Sequence, residues 1–584
     1  MLIVLLLAIA VVVYHYGINR ILGLPPGPPP LPLIGNMLSF RWDLDNVLLD
    51  WKARYGRVFT VWLPAPMVVI GDHQLLQEHV VKNGDVYLAK KNPEQFMDIM
   101  SGGLYGLVFE DNDMVKEQRK FAMKSLHEVG FGSAALEDTV HNNALETVSR
   151  WKKSGEEVVD VTENIMKSIG NVVWNVTFGI TLDFDNEIVP TYRRLQQDSI
   201  PLMAGPFMMF IEMFPFLRNL EFLFGNPIKK LKVMLDKSNG MTVDAIRTTE
   251  KSFNPDNQPS SYVEAFLREM KKNEEAGKPM GNFHFDQLRN AAATIWGAGF
   301  DTTVGLLRMC CLELINHSDV QMKLQKEIDE VIGERRVVND DQKQLPNGKK
   351  HRPDEAEKRM RERKDILPAQ IMTFDQIRNR ITTLLSQKKE HQRKVHGNRQ
   401  RRYVKLIDDF ERDLAEEGIS LDDIEEEVDL ERPLDEDDLI ITSGEIYDLI
   451  YRLGNVLPIN FLRKTTQDTE IEGYRIASGT TVLPQFSMVH ADPNEFERPD
   501  YFCPDRHIDD AGAFIKDPRI TPFSIGKRAC LGETLARMEI FVMFATFVQN
   551  CHFTPVGKVP PAVEFNYGFT RSVNHFDVKI EPRN

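Results

Sequence analysis

Cysteine is scarce in this chain: there are five in 584 residues, Cys310, Cys311, Cys503, Cys530 and Cys551. They form no C-x-x-C pair and no even, spaced framework. That excludes a disulfide-stapled scaffold and points to a reducing compartment. An excess of positive charge is also missing. The formal net charge is −15, which excludes nucleic acid as the main partner. There are no internal repeats. Charge is absent from the N-terminus as well: Met1 to Ile18 contains no Asp, Glu, Lys or Arg, and Leu2 to Val13 is wholly apolar. A cleaved secretory signal carries a basic leading region and a small-residue cleavage site; neither is evident here. Residues 1–20 therefore read as a membrane anchor, short for a full span. Arg20 follows, then Pro25-Pro26-Gly27-Pro28-Pro29-Pro30, a stiff extended stretch that cannot continue a helix.

What is present is concentrated near the C-terminus, in Phe523-Ser524-Ile525-Gly526-Lys527-Arg528-Ala529-Cys530-Leu531-Gly532-Glu533. One cysteine stands in a glycine-punctuated loop that opens onto an apolar helix. Gly526 and Gly532 let the backbone turn tightly and approach a flat ligand. A helix starting near Leu531 aims free N–H groups at the sulfur, which favours a thiolate and tunes it as a metal ligand. A lone cysteine before a helix is ordinarily a core residue; the full F-x-x-G-x-R-x-C-x-G pattern is what sets this one apart. Upstream, Phe285 to Leu314 is mostly apolar and long enough for a central helix. It contains Ala298-Gly299-Phe300-Asp301-Thr302-Thr303. An acid followed by an alcohol is a poor choice for a plain core helix, and a hydroxyl that bonds back to the helix backbone opens a local groove.

Together these two motifs resemble the cytochrome P450 family, most closely its animal microsomal, drug- and lipid-oxidising type. The resemblance implies a mainly α fold with small β-sheets: a P450-like haem domain behind an N-terminal membrane anchor. It implies haem b with Cys530 as the axial iron ligand. Thr302 and Asp301 take the positions of the alcohol and acid that support proton delivery. Phe523, Gly526 and Arg528 belong to the haem loop. Arg463, in Phe461-Leu462-Arg463-Lys464-Thr465-Thr466, and Arg119, in Val115-Lys116-Glu117-Gln118-Arg119, match positions that contact the haem carboxylates. At the second of these the family carries W-x-x-x-R, and Val115 replaces the tryptophan. The implied activity is a monooxygenase that inserts one atom of O2 into an apolar small molecule. Electrons come from NADPH through a flavoprotein reductase, on the cytosolic face of the endoplasmic reticulum membrane. Lys116, Lys120, Lys527 and Arg537 are expected to make the face toward that reductase locally basic.

The same resemblance divides the chain: anchor 1–20, N-terminal part of the haem domain 21–346, charged insert 347–441, and C-terminal haem-binding part 442–584. Tyr55 to Val61 with Pro66 to Gly71 reads as one hairpin, and Asp468 to Ile476 with Gly479 to Pro484 as another. Pro201 to Phe224 reads as buried helix and substrate-channel lining, together with Gln95 to Phe109. The insert departs from the family. Lys349 to Lys405 holds 18 Lys+Arg against 7 Asp+Glu, and Leu406 to Ile440 holds 2 against 17. Such composition reads as solvated helix or partial disorder. It replaces the start of a helix that carries E-x-x-R in the family. Where the pattern resumes at Arg452, Leu449 stands in the glutamate position. Thr442 and Glu445 have capping-box spacing, so a replacement helix is expected there. Arg452 and Arg506 would then be buried without their carboxylate, at a cost of about 3–5 kcal/mol. The competing expectation is accordingly a catalytically impaired P450-like protein, or a mis-joined gene product.

Overall fold

The computed structural model describes residues 23–337 and 443–583, apart from 32–33, 40–43, 64, 91–93, 104, 109–111, 132, 155–157, 204, 278, 280, 334–335, 508–515 and 568–569. The expected anchor over 1–20 and the insert over 347–441 lie outside these residues. Among the described residues no helix is long and apolar enough to cross a membrane.

The site is built on helices α1 (Asn112–Glu128), α2 (Ala134–Ser154), α3 (Val161–Phe178), α4 (Ile188–Met203), α5 (Pro227–Ser252), α6 (Phe285–Asn316), α7 (Ser318–Val331), α8 (Ser443–Gly454) and α9 (Glu533–Asn550). α6 is the central one, and α3, α5, α8 and α9 pack against it. His284 caps its start, its ring accepting from the Gln287 N–H. From Thr303 to Ile315 every residue of α6 is buried. α9 is apolar around most of its circumference, so it must be covered on all sides. Phe541, Phe544 and Phe547 are each almost fully buried within the main core. Truncating any one of them to alanine would cost about 3–5 kcal/mol.

Five short strands form one sheet: β1 (Val58–Leu63), β2 (Ala65–Ile70), β3 (Ala89–Lys90), β4 (Arg463–Lys464) and β5 (Thr481–Pro484), in the order β1-β2-β5-β4-β3. β1 and β2 are the expected first hairpin, registered Val58↔Ile70. The second expected hairpin is corrected. Its turn is Glu472-Gly473, both at positive φ (53° and 81°), as a two-residue hairpin turn requires. It joins Thr469–Ile471 to Tyr474–Ile476, while β5 leaves to pair in parallel with β2. Pro201 to Phe224 is also corrected. Phe207, Met208 and Ile211 are buried, but the 3-10 helix Pro215–Phe224 buries none of its residues. Proline at 206 and 215 restarts the chain twice, so its apolar residues cannot keep to one core-facing stripe.

Candidate active site

Cys530 lies at the end of a closed loop. Its N–H donates to Phe523 O at 2.9 Å, and Ala529 N–H donates to Gly526 O at 3.0 Å. Gly526 has φ +75°, and a Cβ there would stand 2.4 Å from the Val80 carbonyl oxygen. Its close approach is thus to backbone, not to the flat ligand the sequence suggested. Gly532 has an ordinary φ of −92° and serves otherwise: it caps the start of α9, where its N–H and that of Glu533 act to lower the pKa of the Cys530 thiol. This is the N–H arrangement expected of a helix start. Burial raises the thiol pKa; those N–H groups and Arg119 oppose it, while Glu533 adds to it. Cys530 nevertheless keeps accessible area. The two facts agree if the sulfur faces an interior space rather than bulk water. Phe523 lies beside the loop, edge-on to Tyr451 of α8 at 5.4 Å and under the Arg537 guanidinium at 4.9 Å.

The central helix bears a matching opening. Ala298 is exposed although buried residues precede and follow it along α6. Thr302 Oγ1 donates to Ala298 O at 2.8 Å, the back-bond that loosens a helix at that turn. Asp301 accepts from the Thr570 hydroxyl. Burial raises its carboxyl pKa, against the Thr570 bond and the cations of Arg193 and Arg308. Next to Thr303, on the buried side of α6, lies Glu539 of α9, 1 % exposed and held well above the usual carboxyl range by burial, with Thr303 acting the other way. Sequence reasoning missed both Thr570 and Glu539; one is 269 residues from its partner, the other hides in an apolar helix.

Three of the expected arginines come together. Arg119 Nη2 donates to Ala529 O, and Arg528 Nε donates to Leu88 O at 3.0 Å. Arg463 is 4 % exposed, and its Nε and Nη1 have no hydrogen-bond partner. Burial, then Arg528 and Arg119, bring it down to about 9. A fourth cation, Lys90, was missed. It is the direct cross-strand partner of Arg463 between β3 and β4. Burial pulls it well below the usual lysine range, and Arg463, Arg528 and Arg119 add to that. Like charges placed opposite each other destabilise a sheet. Four clustered cations, two of them in one buried register pair, suit a ligand carrying carboxylates. The orphaned guanidinium nitrogens of Arg463, in one cation cluster with the Arg119 that bonds the cysteine loop, therefore fit a haem with a thiolate ligand.

α8 forms as expected over Ser443–Gly454, and Leu449 is fully buried in the core. Thr442 lies outside the described residues. Arg452 is buried, but the carbonyl oxygens of His490, Pro499 and Tyr501 take its Nη atoms. Arg506 is only half-buried, which corrects the expectation for it. The expected basic face is corrected too. Lys527 pairs with Asp85, and Arg537 pairs with Glu533 at 2.9 Å while lying over Tyr451 and Phe523. Lys116 and Lys120 remain exposed.

Fold and site together define a helical protein suited to holding haem through a cysteine, and comparison with known proteins bears on the same point. The chain matches the family described as cytochrome P450 over residues 25–347 and 450–580. It is 29% identical over 569 residues to probable cytochrome P450 CYP36A1 of Caenorhabditis elegans, covering 97% of this chain and 96% of that one. It is 26% identical to cytochrome P450 2F2 of Mus musculus over 535 residues, 91% and 88% of the two chains. Against cytochrome P450 2M1 of Oncorhynchus mykiss the identity is 26% over 542 residues, 92% and 87%. The chain belongs to the cytochrome P450 family. Membership implies an oxidoreductase of the monooxygenase class, a haem with a cysteine-ligated iron, and electrons taken from a reductase. The family match breaks between 347 and 450, the stretch that the sequence sets apart by charge.

Proposed function

We propose that this protein is a membrane-attached haem-thiolate monooxygenase that inserts one oxygen atom of O2 into an apolar small organic molecule, using NADPH electrons delivered by a flavoprotein reductase. The observation that carries the reading is the closed Cys530 loop, joined at Ala529 O by Arg119, which belongs to one cation cluster with Lys90, Arg463 and Arg528. When bound, haem supplies the oxygen-activating iron. Cys530 would hold that iron as a thiolate. Lys90, Arg119, Arg463 and Arg528 would hold the haem carboxylates; an Arg fork suits a carboxylate best. Thr302 orders hydrogen bonds at the opened turn of α6, and the adjacent Asp301 carboxyl, raised by burial, serves proton delivery there. The apolar cluster of Ile99, Phe207, Met208 and Ile211 supports a substrate without charge. Phe216, Phe222, Leu223 and Phe224 are each more than half exposed, an apolar ridge that supports attachment to a lipid surface. With the leading apolar run, this favours the cytosolic face of the endoplasmic reticulum. The carbonyl cage around Arg452 supports a fold that tolerates Leu449, and so favours an active enzyme over an impaired one.

The test is the reduced carbon-monoxide difference spectrum of the full-length recombinant protein, followed by turnover with reductase and NADPH. A thiolate signature and product that depends on NADPH are expected. Absence of bound haem, or haem without the thiolate signature, would overturn the proposal.

A further inference from the structure

Asp301 is held by a hydroxyl from the far end of the chain, although two cations stand nearby. Thr570 Oγ1 donates to Asp301 Oδ2. Burial raises the Asp301 carboxyl; the Thr570 bond, Arg193 of α4 and Arg308 of α6 act the other way. Tyr192 of α4 is close enough for its phenol to feel the Asp301 charge. Both arginines act on Asp301 through their charge alone, and both bond elsewhere. Arg193 Nη1 donates to Met166 Sδ at 2.7 Å, and Arg308 Nη2 donates to Asn574 O at 2.9 Å. An ion pair with either would hold the carboxylate ionised and fixed. A single neutral hydroxyl holds it instead.

That hydroxyl is placed by a rigid frame. Thr570 directly precedes the strand Arg571–Val573, which pairs with Phe565–Tyr567. Arg571 fastens this strand to the end of α8. Its N–H donates to Val456 O at 2.8 Å, its Nε to Gly454 O at 3.2 Å, and its Nη2 to Leu453 O. Its Nη1 lies 3.5 Å from the Asp45 carboxylate, and its guanidinium stands 4.0 Å over the Phe565 ring. A cation on the last carbonyls of a helix complements the charge of that end. From there the strand follows α6. A Cβ at Gly305 would meet Arg571 O at 3.9 Å and Ser572 Cβ at 4.0 Å, and Asn574 O takes Arg308. Asp301, Gly305 and Arg308 are spaced by four and three residues, so they share one face of the helix. The strand thus meets that face at three successive points, and the contact of Thr570 with Asp301 is the one at the opened turn.

We propose that Thr570 is a positioning residue for proton delivery: its hydroxyl holds the Asp301 carboxyl at the opened turn beside Thr302 and keeps it from pairing with Arg193 or Arg308. This role rests on the monooxygenase reading above; the contact does not. A hydroxyl bonds a carboxylate more strongly than a carboxylic acid. The worth of the Thr570 bond to the fold therefore grows as pH rises and Asp301 ionises in the folded protein.

Thr570→Val keeps the shape of the side chain and removes the hydroxyl, whereas Thr570→Ser keeps the hydroxyl. In the full-length protein with reductase and NADPH, Thr570→Val should form about tenfold less product per electron, as Asp301→Asn does. The double variant should lose no more than Asp301→Asn alone, and Thr570→Ser should stay within about twofold of the parent. The same proteins are melted between pH 5 and pH 9. Thr570→Val should lower the unfolding midpoint by about 2–4 °C at the alkaline end and by less at pH 5. In the Asp301→Asn background its effect should not vary with pH. Product losses that multiply in the double variant, or a midpoint change that ignores both pH and residue 301, overturn the proposal. Protein without any turnover would refute the monooxygenase reading instead, and the melts then decide on Thr570 by themselves.

Discussion

Burial lifts the thiols of Cys311 and Cys551 to about 12 and raises Cys310 as well. At Cys530 the N–H groups of Gly532 and Glu533 at the start of α9, with Arg119, oppose that push, and the cysteine keeps accessible area, whereas Cys310, Cys311 and Cys551 are buried in the core. Cys530→Ala should therefore remove the thiolate absorption signature completely, with no other thiol taking over. The carbon-monoxide difference spectrum reads this directly. Thr302 bonds its own helix rather than the core, so Thr302→Ala should leave haem content nearly intact. Product formed per electron consumed should fall about tenfold or more, since positioned proton transfer contributes at least that much; equal coupling in both proteins would remove Thr302 from the mechanism. Asp448 makes a prediction about pH. Burial raises its carboxyl to about 6, while Arg537 and Lys516 act the other way. A raised acid favours the folded state fully below the unfolded value, near 4, and that favour is lost as pH climbs to about 6. Asp448→Asn removes the penalty. It should stabilise the protein by up to about 3 kcal/mol at pH 7, by less at pH 5 and by nothing below pH 4. Unfolding midpoints of parent and variant at those three values check the sign.

At the scale of elements, the two-residue strands β3 and β4 do more than complete a sheet. Their register sets Lys90 opposite Arg463, an unfavourable pair that an anionic ligand turns favourable. Lys90→Met should weaken haem retention about tenfold, the worth of one charged hydrogen bond, while leaving the haem-free protein as stable as the parent or more so. Haem transfer to a scavenger protein, set against the melting of haem-free protein, separates the two effects. The haem loop obeys a different constraint. Gly526 combines positive φ with a backbone contact that a methyl group would violate. Its glycine was legible in the pattern, but the reason for it was not, because Val80 lies 446 residues away in sequence. The hairpin over Asp468 to Pro484 shows the same split. Turn chemistry at Glu472-Gly473 is local and readable. The departure of β5 to the larger sheet is settled by parallel pairing with β2, which no local pattern encodes.

On the scale of the whole molecule, a net charge of −15 must coexist with docking of an electron donor. Lys527 and Arg537 are occupied by Asp85 and Glu533, so Lys120, exposed on α1, carries more of any such contact than the sequence implied. Lys120→Glu should slow reduction by the flavoprotein several-fold at low salt, and the difference should shrink as ionic strength rises and the Debye length falls to about 8 Å. Rates indifferent to both would place the contact elsewhere. The sequence by itself determined the cysteine loop, the helix that carries Asp301 and Thr302 and the helix at Arg452. Each of these depends on spacings within one or two helical turns, which backbone geometry converts directly into position. Tertiary structure alone decided that Lys90 joins Arg463, that Thr570 holds Asp301, that Glu539 stands next to Thr303, and that Arg452 is caged by carbonyls. Those partners lie tens to hundreds of residues apart. Only the packing of α3, α5, α8 and α9 around α6, and the pairing of strands from both ends of the chain, brings them within reach.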